Sequence, residues 1–456
     1  MIRFLNAYYP TRTLILLLCE AFLIGSAFLT ATAILAGPDT YISLVYQNGI
    51  LKITCICIFT VLLSYYFDLY EPQRISGRWE VHFRLLLVLS ALSFSLAVLI
   101  YFFPLADIGP NVLVMGIALL TVLLLAWRST CDRIIDLPLF RERVYVLGDG
   151  PRAHDLTSMI RSRRDIGMEV IEMANPRALG SEEAFAADLR ELCNPQPRID
   201  RVIVALENRR GSMPVQELLR LRLRGVVIEE SISLIERLTG RVPLDGLNPS
   251  ALIFSQGFNA RHWLIISRRI FSIWVSFAAL LACLPLLPFL ILAVRLSSPG
   301  PILFRQTRVG FGGRCFTIYK FRTMRQDAEA NGAQWATKND SRITRLGHFL
   351  RKTRLDEIPQ LWNILRGDMG FVGPRPERPE FVNWLLREIP YYDLRHMIRP
   401  GLTGWAQVRY QYGASVEETK RKLEYDLYYI KHLSLGLDLL IMFETVKTII
   451  LRRGAQ

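Results

Sequence analysis

Residues 270–296 read IFSIWVSFAALLACLPLLPFLILAVRL, and this stretch decides how the second half of the chain must fold. It is long enough to cross the hydrocarbon core of a bilayer as a helix. Pro285 interrupts it near the middle, and Pro288 follows one helical turn later. A proline inside a helix removes one backbone hydrogen bond and clashes with the carbonyl group four residues earlier. The sequence therefore predicts a membrane helix that breaks at Pro285 and Pro288.

Both flanks of this run are basic, with Arg268 and Arg269 before it and Arg305 and Arg308 after it. Because Lys and Arg collect on the cytoplasmic side of a membrane, a chain that enters from the cytoplasm is expected to return there. We therefore favour a re-entrant helix over 270–296, and a kinked helix that spans the bilayer is the alternative. The backbone groups freed at the break would need partners from protein or lipid headgroups.

Four further apolar runs precede this segment, at residues 14–35, 50–67, 83–103 and 112–127. Basic residues lie before the first run, between the second and third, and after the fourth: Arg3, Arg12, Arg74, Arg78, Arg84, Arg128 and Arg133. The other two connections, 37–49 and 104–111, contain no Lys or Arg. The positive-inside rule therefore predicts a four-helix transmembrane unit over residues 1–135 with both ends in the cytoplasm.

Residues 140–240 differ, because short apolar runs alternate there with helix-like stretches. Strands are predicted at 144–147, 168–173, 201–205 and 225–229, and helices from residue 154 and over 215–224. Such alternation is typical of a parallel sheet, here a Rossmann-like α/β domain. Residues 241–262 have few periodic signals and are predicted to be a linker.

Gly148-Asp149-Gly150 ends the first of these strands and invites a dinucleotide-binding interpretation. The third glycine of that fingerprint is missing, and Pro151 follows at once. We favour a structural or dimerising role, with a homodimer through the α/β domain, and leave nucleotide binding open.

The composition narrows the class of protein. Of 456 residues, 51% are apolar, and the net charge is +14, as expected of a membrane protein with several domains. Positive-inside bias accounts for part of the charge, and anionic lipid or a phosphorylated substrate could use the rest; we expect no nucleic acid partner. None of the seven cysteines has zinc-site spacing, so we expect reduced thiols in a reducing compartment. The first apolar run lacks a small-residue cleavage site and should be retained.

Arg354-Leu355-Asp356-Glu357-Ile358-Pro359-Gln360 is the segment best suited to chemistry, and Pro374-Arg375-Pro376 follows it. A carboxylate can attack phosphorus, a second can hold Mg²⁺, and nearby cations can clamp phosphates. Helix capping is the alternative for Asp356 and Glu357, because acids are common just before a helix and Pro359 suits its first turn. Residues 316–321 alternate like a strand, which places Lys320 on the polar face.

Residues from about 267 to 453 resemble the bacterial sugar transferase family, the monotopic phosphoglycosyl transferases. Besides the proline-broken run, the blocks that carry the resemblance are Phe304-Arg305-Gln306-x-Arg308-Val309-Gly310, Tyr319-Lys320-Phe321-Arg322-Thr323-Met324, Leu355-Asp356-Glu357-x-Pro359-Gln360, Asn363-Ile364-Leu365-Arg366-Gly367-Asp368-Met369, Phe371-Val372-Gly373-Pro374-Arg375-Pro376 and Arg399-Pro400-Gly401-Leu402-Thr403-Gly404-Trp405-Ala406-Gln407-Val408. The whole layout is similar to the long polyprenyl-phosphate hexose-1-phosphate transferases, including those of exopolysaccharide loci.

The resemblance implies that residues 263–456 form a mostly α catalytic domain on the cytoplasmic face of a bacterial inner membrane. It implies transfer of a hexose-1-phosphate, glucose or galactose first, from a UDP-sugar to undecaprenyl phosphate, with release of UMP. By the same analogy Asp356 is the nucleophile that carries the phosphosugar, and Glu357 binds Mg²⁺. The residues expected to contact substrate are Lys320, Arg322, Arg354, Pro374, Arg375, Pro376 and Arg378.

The chain departs from the family pattern at two places. Leu284 stands before Pro285, where family members often carry Ser. Arg409 follows Ala-Gln-Val, where many members have Asn-Gly-Arg, so we assign it no donor-binding role. We expect packing, surface or interfacial roles for His348, His396, His432, Trp362 and Trp405. Asp368 is left open between a turn and a supporting acid, and helix 435–451 between the membrane surface and the domain core.

Two other functions compete with this one. A membrane-bound nucleotide-sugar dehydratase also places four spans before an α/β domain, but it needs the full glycine fingerprint and a Tyr-x-x-x-Lys pair, which this sequence lacks. An inactive scaffold for polysaccharide assembly is the second rival, and the intact Lys320, Asp356 and Glu357 argue against it.

Overall fold

The computed structural model describes residues 2–4, 6–71, 77–135, 141–163, 166–174, 199–206, 213–245, 252, 257–258, 261–326, 328, 340–410 and 415–451. Arg74, Cys193 and most of the predicted linker lie outside the described residues. The chain forms two compact units, the first from Met1–Ile2 and Tyr9–Ser231 and the second from Arg3–Tyr8 and Ile232–Gln456. Two short strands, β1 (Ile2–Phe4) and β2 (Ala7–Tyr9), stand at the start of the chain.

The first unit opens with four apolar helices: α1 (Thr11–Ala36), α2 (Gly49–Tyr66), α3 (Arg78–Phe102) and α4 (Pro110–Ile135). Phe28, Leu92 and Leu120 are fully buried where these helices pack together. Each helix is long and apolar enough to cross a membrane, and residues 262–297 supply a fifth such segment within the described part of the chain. The chain is therefore a membrane protein.

A buried polar cluster ties α1 to α4. Glu20 Oε1 lies 2.5 Å from Arg128 Nε, and both side chains are almost completely buried. The Tyr70 hydroxyl donates to Glu20 at 2.7 Å, and Arg128 donates to the Leu69 carbonyl at 3.1 Å. A buried charge is tolerated when it is paired and hydrogen-bonded, so this ion pair fixes the packing of the two helices.

The rest of the first unit is the predicted parallel α/β region, which the structure confirms. Its elements are β3 (Glu142–Leu147), α5 (Pro151–Ser162), β4 (Met168–Ala174), β5 (Arg201–Val204), α6 (Val215–Leu223) and β6 (Val227–Glu230). The strand order is β4-β3-β5-β6, with every neighbouring pair parallel. Gly148 has φ 132°, and a Cβ there would lie 2.8 Å from the Ala205 carbonyl oxygen. Close packing of β3 against β5 thus explains this glycine.

In the second unit, the apolar run is divided at its prolines. After α7 (Ser231–Thr239), α8 (His262–Cys283) ends at a 3₁₀ turn, Leu284–Leu286, and α9 (Leu287–Ser297) follows. Helix α8 packs on residues 360–366 and α9 on residues 345–353, and one core buries Val294 of α9 with Ile364.

The catalytic-domain elements that follow are β7 (Leu303–Val309), β8 (Cys315–Phe321), α10 (Arg345–Thr353), α11 (Gln360–Arg366), β9 (Gly370–Val372), α12 (Pro379–Glu388), β10 (Gly401–Thr403), α13 (Trp405–Arg409), α14 (Val416–Lys431) and α15 (Leu435–Ile450). Strands β7 and β8 pair antiparallel and place Lys320 opposite Phe304, whereas β9 and β10 pair parallel. The second unit is therefore mostly helical.

Residues that are far apart in the sequence contact one another within this unit. Trp405 Nε1 donates to the Gly240 carbonyl at 2.7 Å, and the His432 ring lies 2.7 Å from Glu236. The Asn6 amide donates to the His432 carbonyl at 3.1 Å. Trp405 and His432 are both buried, which matches the packing roles expected for them.

Helix α15 has two different faces. Leu437 and Ile441 are fully buried, so one face covers the domain core. Leu439, Val446 and Ile450 are exposed on the other face. The helix therefore covers the core and still presents an apolar stripe outward, so both predicted roles stay compatible with it.

Candidate active site

The Asp356–Glu357 pair lies in a tight turn between two helices. Thr344 caps the start of α10 by accepting a hydrogen bond from the Gly347 amide at 2.9 Å. The helix ends at Arg354, which has φ 59°, a left-handed conformation that costs energy for a non-glycine residue. A 3₁₀ turn, Leu355–Glu357, follows and leads into α11. This change of direction points both carboxylates into the protein, where Asp356 is 6% exposed and Glu357 is 7% exposed.

Three cations converge on one oxygen of Glu357. Its Oε1 lies 3.1 Å from Lys320 Nζ and 3.0 Å from Arg375 Nη2. Arg354 Nη1 approaches the same atom at 3.6 Å. Burial would raise the pKa of Glu357, but the three cations outweigh it and hold that pKa well below its ordinary range. Glu357 is therefore ionised.

The pKa of Asp356 shifts in the opposite direction. Burial and the neighbouring charge of Glu357 raise the pKa of Asp356, against the lowering effect of Lys320, Arg351 and Arg354. Its Oδ1 is buried and has no hydrogen-bond partner among the residues that the structure describes. Two adjacent carboxylates thus have pKa values pushed apart, which is a common mark of carboxylates with separate roles in a reaction.

Every backbone carbonyl group in the loop that carries Arg375 accepts a hydrogen bond. The four consecutive oxygens from Pro374 to Glu377 accept hydrogen bonds, at 2.9, 2.9, 3.0 and 2.9 Å, from Gly401 N, Arg395 Nη2, Arg308 Nη1 and Val309 N in turn. The two prolines fix φ and offer no amide donor of their own. The loop is therefore a rigid support for the Arg375 side chain.

Arg395 anchors this loop from the core. It is 7% exposed, lies 3.0 Å from Asp426 Oδ2 and donates to the Tyr392 hydroxyl at 2.5 Å. Burial raises the pKa of Asp426 to about 6, against the lowering effect of Arg395. Neither Arg395 nor Asp426 was singled out from the sequence, because neither stands beside the Asp356 motif.

Asn363 joins the two halves of the site. Its Oδ1 accepts from the Tyr319 amide at 3.2 Å, and its Nδ2 donates to the Thr317 carbonyl at 2.7 Å. The same Nδ2 lies 3.2 Å from Asp368, which gives Asp368 a supporting role. Helix α11 and strand β8 are therefore locked together, and with them the Glu357 and Lys320 side chains.

A cavity of about 1540 Å³ surrounds these groups, large enough for more than one small ligand. Apolar side chains of the membrane segment line one part of it, among them Leu280, Leu287 and Ile291. Polar groups of α13 and α14 line another part, among them Gln407 and Lys422.

The expected site residues fall into two groups. The side chains that line the cavity are Lys320, Arg322, Arg354, Asp356, Glu357, Arg375 and Arg378. Pro374 and Pro376 lie outside this lining and shape the Arg375 loop instead. His348 and Asp368 also lie outside it, whereas Trp362 contributes to the wall.

The carboxylates of this site suit a metal ion only if the substrate supplies the remaining ligands. Among the described residues no group of three or more His, Cys, Asp or Glu side chains could hold a metal. Mg²⁺ is commonly bound by one or two carboxylates together with substrate phosphates. Asp356, with its unpartnered Oδ1, and Glu357 fit that arrangement.

Comparison with known proteins agrees with this site. The family model described as bacterial sugar transferase matches residues 263–452. The chain is 44% identical over 243 residues to a UDP-N-acetylgalactosamine-undecaprenyl-phosphate N-acetylgalactosaminephosphotransferase of Aeromonas hydrophila, covering 52% of this chain and 56% of that protein. It is 34% identical over 321 residues to an undecaprenyl-phosphate glucose phosphotransferase of Komagataeibacter xylinus, covering 69% and 60%.

A UDP-glucose:undecaprenyl-phosphate glucose-1-phosphate transferase of Escherichia coli (strain K12) is 33% identical over 320 residues, which is 67% of each protein. The chain thus spans less than two thirds of the Aeromonas and Komagataeibacter relatives but two thirds of the Escherichia one. Together with the family match over the catalytic elements, these similarities show that the chain belongs to the bacterial sugar transferase family.

Proposed function

We propose that this protein transfers a hexose-1-phosphate from a UDP-sugar to undecaprenyl phosphate and releases UMP, as the first membrane step of exopolysaccharide or O-antigen synthesis. The observation that carries the proposal is the buried Asp356–Glu357 pair inside a clamp of Lys320, Arg354 and Arg375. Relatives that share the catalytic region are named as undecaprenyl-phosphate sugar phosphotransferases.

In the first half of the reaction, a carboxylate oxygen of Asp356 attacks the β-phosphorus of the donor. The bond from that phosphorus to the bridging oxygen breaks, and UMP leaves with the oxygen and its electron pair. The sugar phosphate remains on Asp356 as an acyl phosphate. Lys320 and Arg375 reduce the repulsion between the attacking carboxylate and the diphosphate.

In the second half, a phosphate oxygen of undecaprenyl phosphate attacks the same phosphorus. The bond between Asp356 and phosphorus breaks, which restores the carboxylate and yields a lipid diphosphosugar. The cavity can admit a soluble donor and a lipid acceptor together, because polar side chains and membrane-segment side chains both line it.

Glu357, with Asp356 beside it, would hold Mg²⁺ together with the donor phosphate oxygens. The ion would neutralise charge on those oxygens during the displacement. Because Glu357 Oε1 already meets three cations, a variant that lacks Lys320 or Arg375 should change the Mg²⁺ concentration needed for half-maximal activity.

For the membrane arrangement we propose a re-entrant α8–α9 segment, a multi-pass N-terminal unit and a cytoplasmic catalytic domain at the bacterial inner membrane. The re-entrant form is supported by the packing of α8 and α9 on one core, with Arg269 donating to the Leu365 carbonyl at 2.9 Å. A tag after Gln456 that is labelled only from the cytoplasm would support it, and periplasmic labelling would overturn it. The homodimer through residues 140–240 stays a prediction.

The experiment that tests this function measures UMP release in the presence of undecaprenyl phosphate, with and without Mg²⁺. It compares UDP-glucose, UDP-galactose and UDP-N-acetylgalactosamine as donors. We propose glucose or galactose as the sugar, while relatives are named for glucose and for N-acetylgalactosamine. Support would come from wild-type turnover that is abolished by Asp356→Asn and retained by the control Asp200→Asn, whose half-exposed side chain pairs with Arg143 beside the α/β sheet. An inactive scaffold would give no UMP with any donor.

A further inference from the structure

Arg322 is a buried cation with no anionic partner among the described residues. Only 6% of the residue is exposed, and it lines the same cavity as Asp356. Its Nη2 donates to the Ser298 carbonyl at 2.6 Å and lies 3.0 Å from the Ser298 hydroxyl. Its Nε and Nη1 are shielded from water and have no hydrogen-bond partner in the described part of the chain.

The surroundings do not compensate this charge. Burial, together with the positive charge of nearby Arg295, lowers the pKa of Arg322. The salt bridges among described residues include none to Arg322, whereas Lys320, two residues earlier, is paired with Glu357 at 3.1 Å. A buried charge without a counter-ion is costly, so this guanidinium is suited to an anion that the described residues do not supply.

The position of Arg322 indicates where that anion comes from. Ser298 directly follows α9, the second arm of the membrane segment, whose Leu287 and Ile291 line the cavity. An apolar chain lying along this arm would bring its headgroup to the Ser298 turn. Arg322 is therefore on the lipid side of the cavity, and Lys320 is on the side of the carboxylates.

Gly300 lies directly against the guanidinium. Its φ is +118°, and a Cβ there would lie 2.4 Å from Arg322 Nη1. The turn that follows α9 thus covers Nη1, and only glycine permits this contact.

We propose that Arg322 binds the phosphate of the polyprenyl phosphate acceptor, as a subsite separate from the donor clamp at Glu357. The proposal rests on the proposed function for the identity of the acceptor. The chemistry required is a phosphate headgroup on an apolar chain, recognised by a charge-assisted hydrogen bond from a buried guanidinium.

The test measures binding without turnover. Full-length Asp356→Asn protein in phosphatidylcholine nanodiscs is titrated with labelled undecaprenyl phosphate and, separately, with undecaprenol. Adding Arg322→Gln should weaken undecaprenyl phosphate binding about tenfold to a hundredfold and leave undecaprenol unaffected. Arg322→Lys, which keeps the charge, should retain part of the affinity. Arg387→Gln is the matched control, since Arg387 is exposed on α12, outside the cavity lining, and its loss should not alter the difference between the two lipids.

Four results would overturn the proposal. The first is unchanged undecaprenyl phosphate binding in Arg322→Gln. The second is an equal loss for both lipids with a lower melting temperature, which is the mark of a purely structural cap on α9. Displacement of the labelled acceptor by equimolar inorganic phosphate would assign the site to free phosphate, and displacement by phosphatidylglycerol would assign it to bulk headgroups. Failure of the proposed function looks different, because wild-type protein would then release no UMP while the binding result still stands.

Discussion

Arg395 Nη2 donates a hydrogen bond to the backbone carbonyl of Arg375 at 2.9 Å, so a fully buried guanidinium positions a residue of the phosphate clamp. Arg375 then reaches Glu357 at 3.0 Å. Asp426, 3.0 Å from Arg395, holds the guanidinium in place. The catalytic carboxylates are thus linked to the core through one arginine that touches neither of them.

Replacing Arg395 by Lys should lower activity through Arg375. Lysine cannot reach Asp426, Tyr392 and the Arg375 carbonyl at once, so kcat/KM for the UDP-sugar should fall about tenfold or more. The discriminating measurement is a double-mutant cycle with Arg375→Ala. If Arg395 acts by positioning Arg375, the second substitution should add little once the first is present.

Full additivity of the two substitutions would contradict that account. The matched control is Arg201→Gln, which removes a pair of ion pairs, both at 2.9 Å, from the α/β sheet. This control should change the melting temperature without altering kcat/KM.

The raised pKa of Asp356 predicts the pH dependence of the reaction. The nucleophile acts only when ionised, so kcat/KM should rise with pH through a pKa that lies above that of an ordinary aspartate. Arg351 lowers this pKa, and Arg351→Gln should therefore move the acid limb to higher pH. An acid limb that stays in place in this variant would refute the assignment of the limb to Asp356.

The same shift predicts a stability effect. A carboxyl group whose pKa is raised in the folded state stabilises the fold at low pH, because the folded state favours its protonated form. The protein loses this stability as the pH rises through the raised pKa. Asp356→Asn does not ionise, so its melting temperature at pH 7 should exceed that of the wild type. This difference in melting temperature should disappear when the pH lies below the pKa of aspartate in the unfolded chain. A variant that is less stable at pH 7 would show that the ionised carboxylate is better compensated than its burial indicates.

Glycines near the Arg375 loop should tolerate no side chain. A Cβ at Gly401 would lie 2.1 Å from Gly373 N, where β9 and β10 pair. Gly401→Ala should therefore destabilise the domain by about 1–3 kcal/mol and lower activity with it. Gly225→Ala is unsuitable as a control because its φ is +91°, whereas Gly25, with nothing near its Cβ, is suitable. Equal melting temperatures for Gly401→Ala and Gly25→Ala would contradict the close packing seen here.

The Glu20–Arg128 pair should stabilise the packing of the N-terminal helices. Glu20→Ala leaves Arg128 buried without its carboxylate, and losing one partner of such a pair costs about 3–5 kcal/mol. The double substitution Glu20→Leu with Arg128→Met should recover most of that loss. Thermal unfolding in detergent measures both, and a single variant as stable as the wild type would show that the pair contributes little.

Much of this architecture could be predicted from local pattern. Pro285 and Pro288 indicated the division between α8 and α9, and the alternation of residues 316–321 placed Lys320 on β8. The spacing of apolar runs indicated the parallel α/β sheet. These features depend on short-range rules of helix and strand formation, which a single sequence displays directly.

The supporting contacts could not be predicted, because they join residues that are far apart in sequence. Asn363 meets Thr317, and Arg395 meets the Arg375 carbonyl, only after the chain has folded. Likewise, the sequence shows that Arg322 is basic but not that it is buried without a counter-ion. Pro374 and Pro376 lie in the loop that supports Arg375, and their expected contact with substrate stays a prediction.

The central claim is that the Asp356 carboxylate carries the sugar phosphate between donor and lipid. The direct measurement is mass spectrometry of wild-type protein quenched after mixing with UDP-sugar in the absence of acceptor. The account predicts a hexose-phosphate adduct on the peptide that contains Asp356, lost when undecaprenyl phosphate is added and never formed by Asp356→Asn. Formation of lipid diphosphosugar by Asp356→Asn, or rapid UMP release with no adduct at that residue, would contradict it.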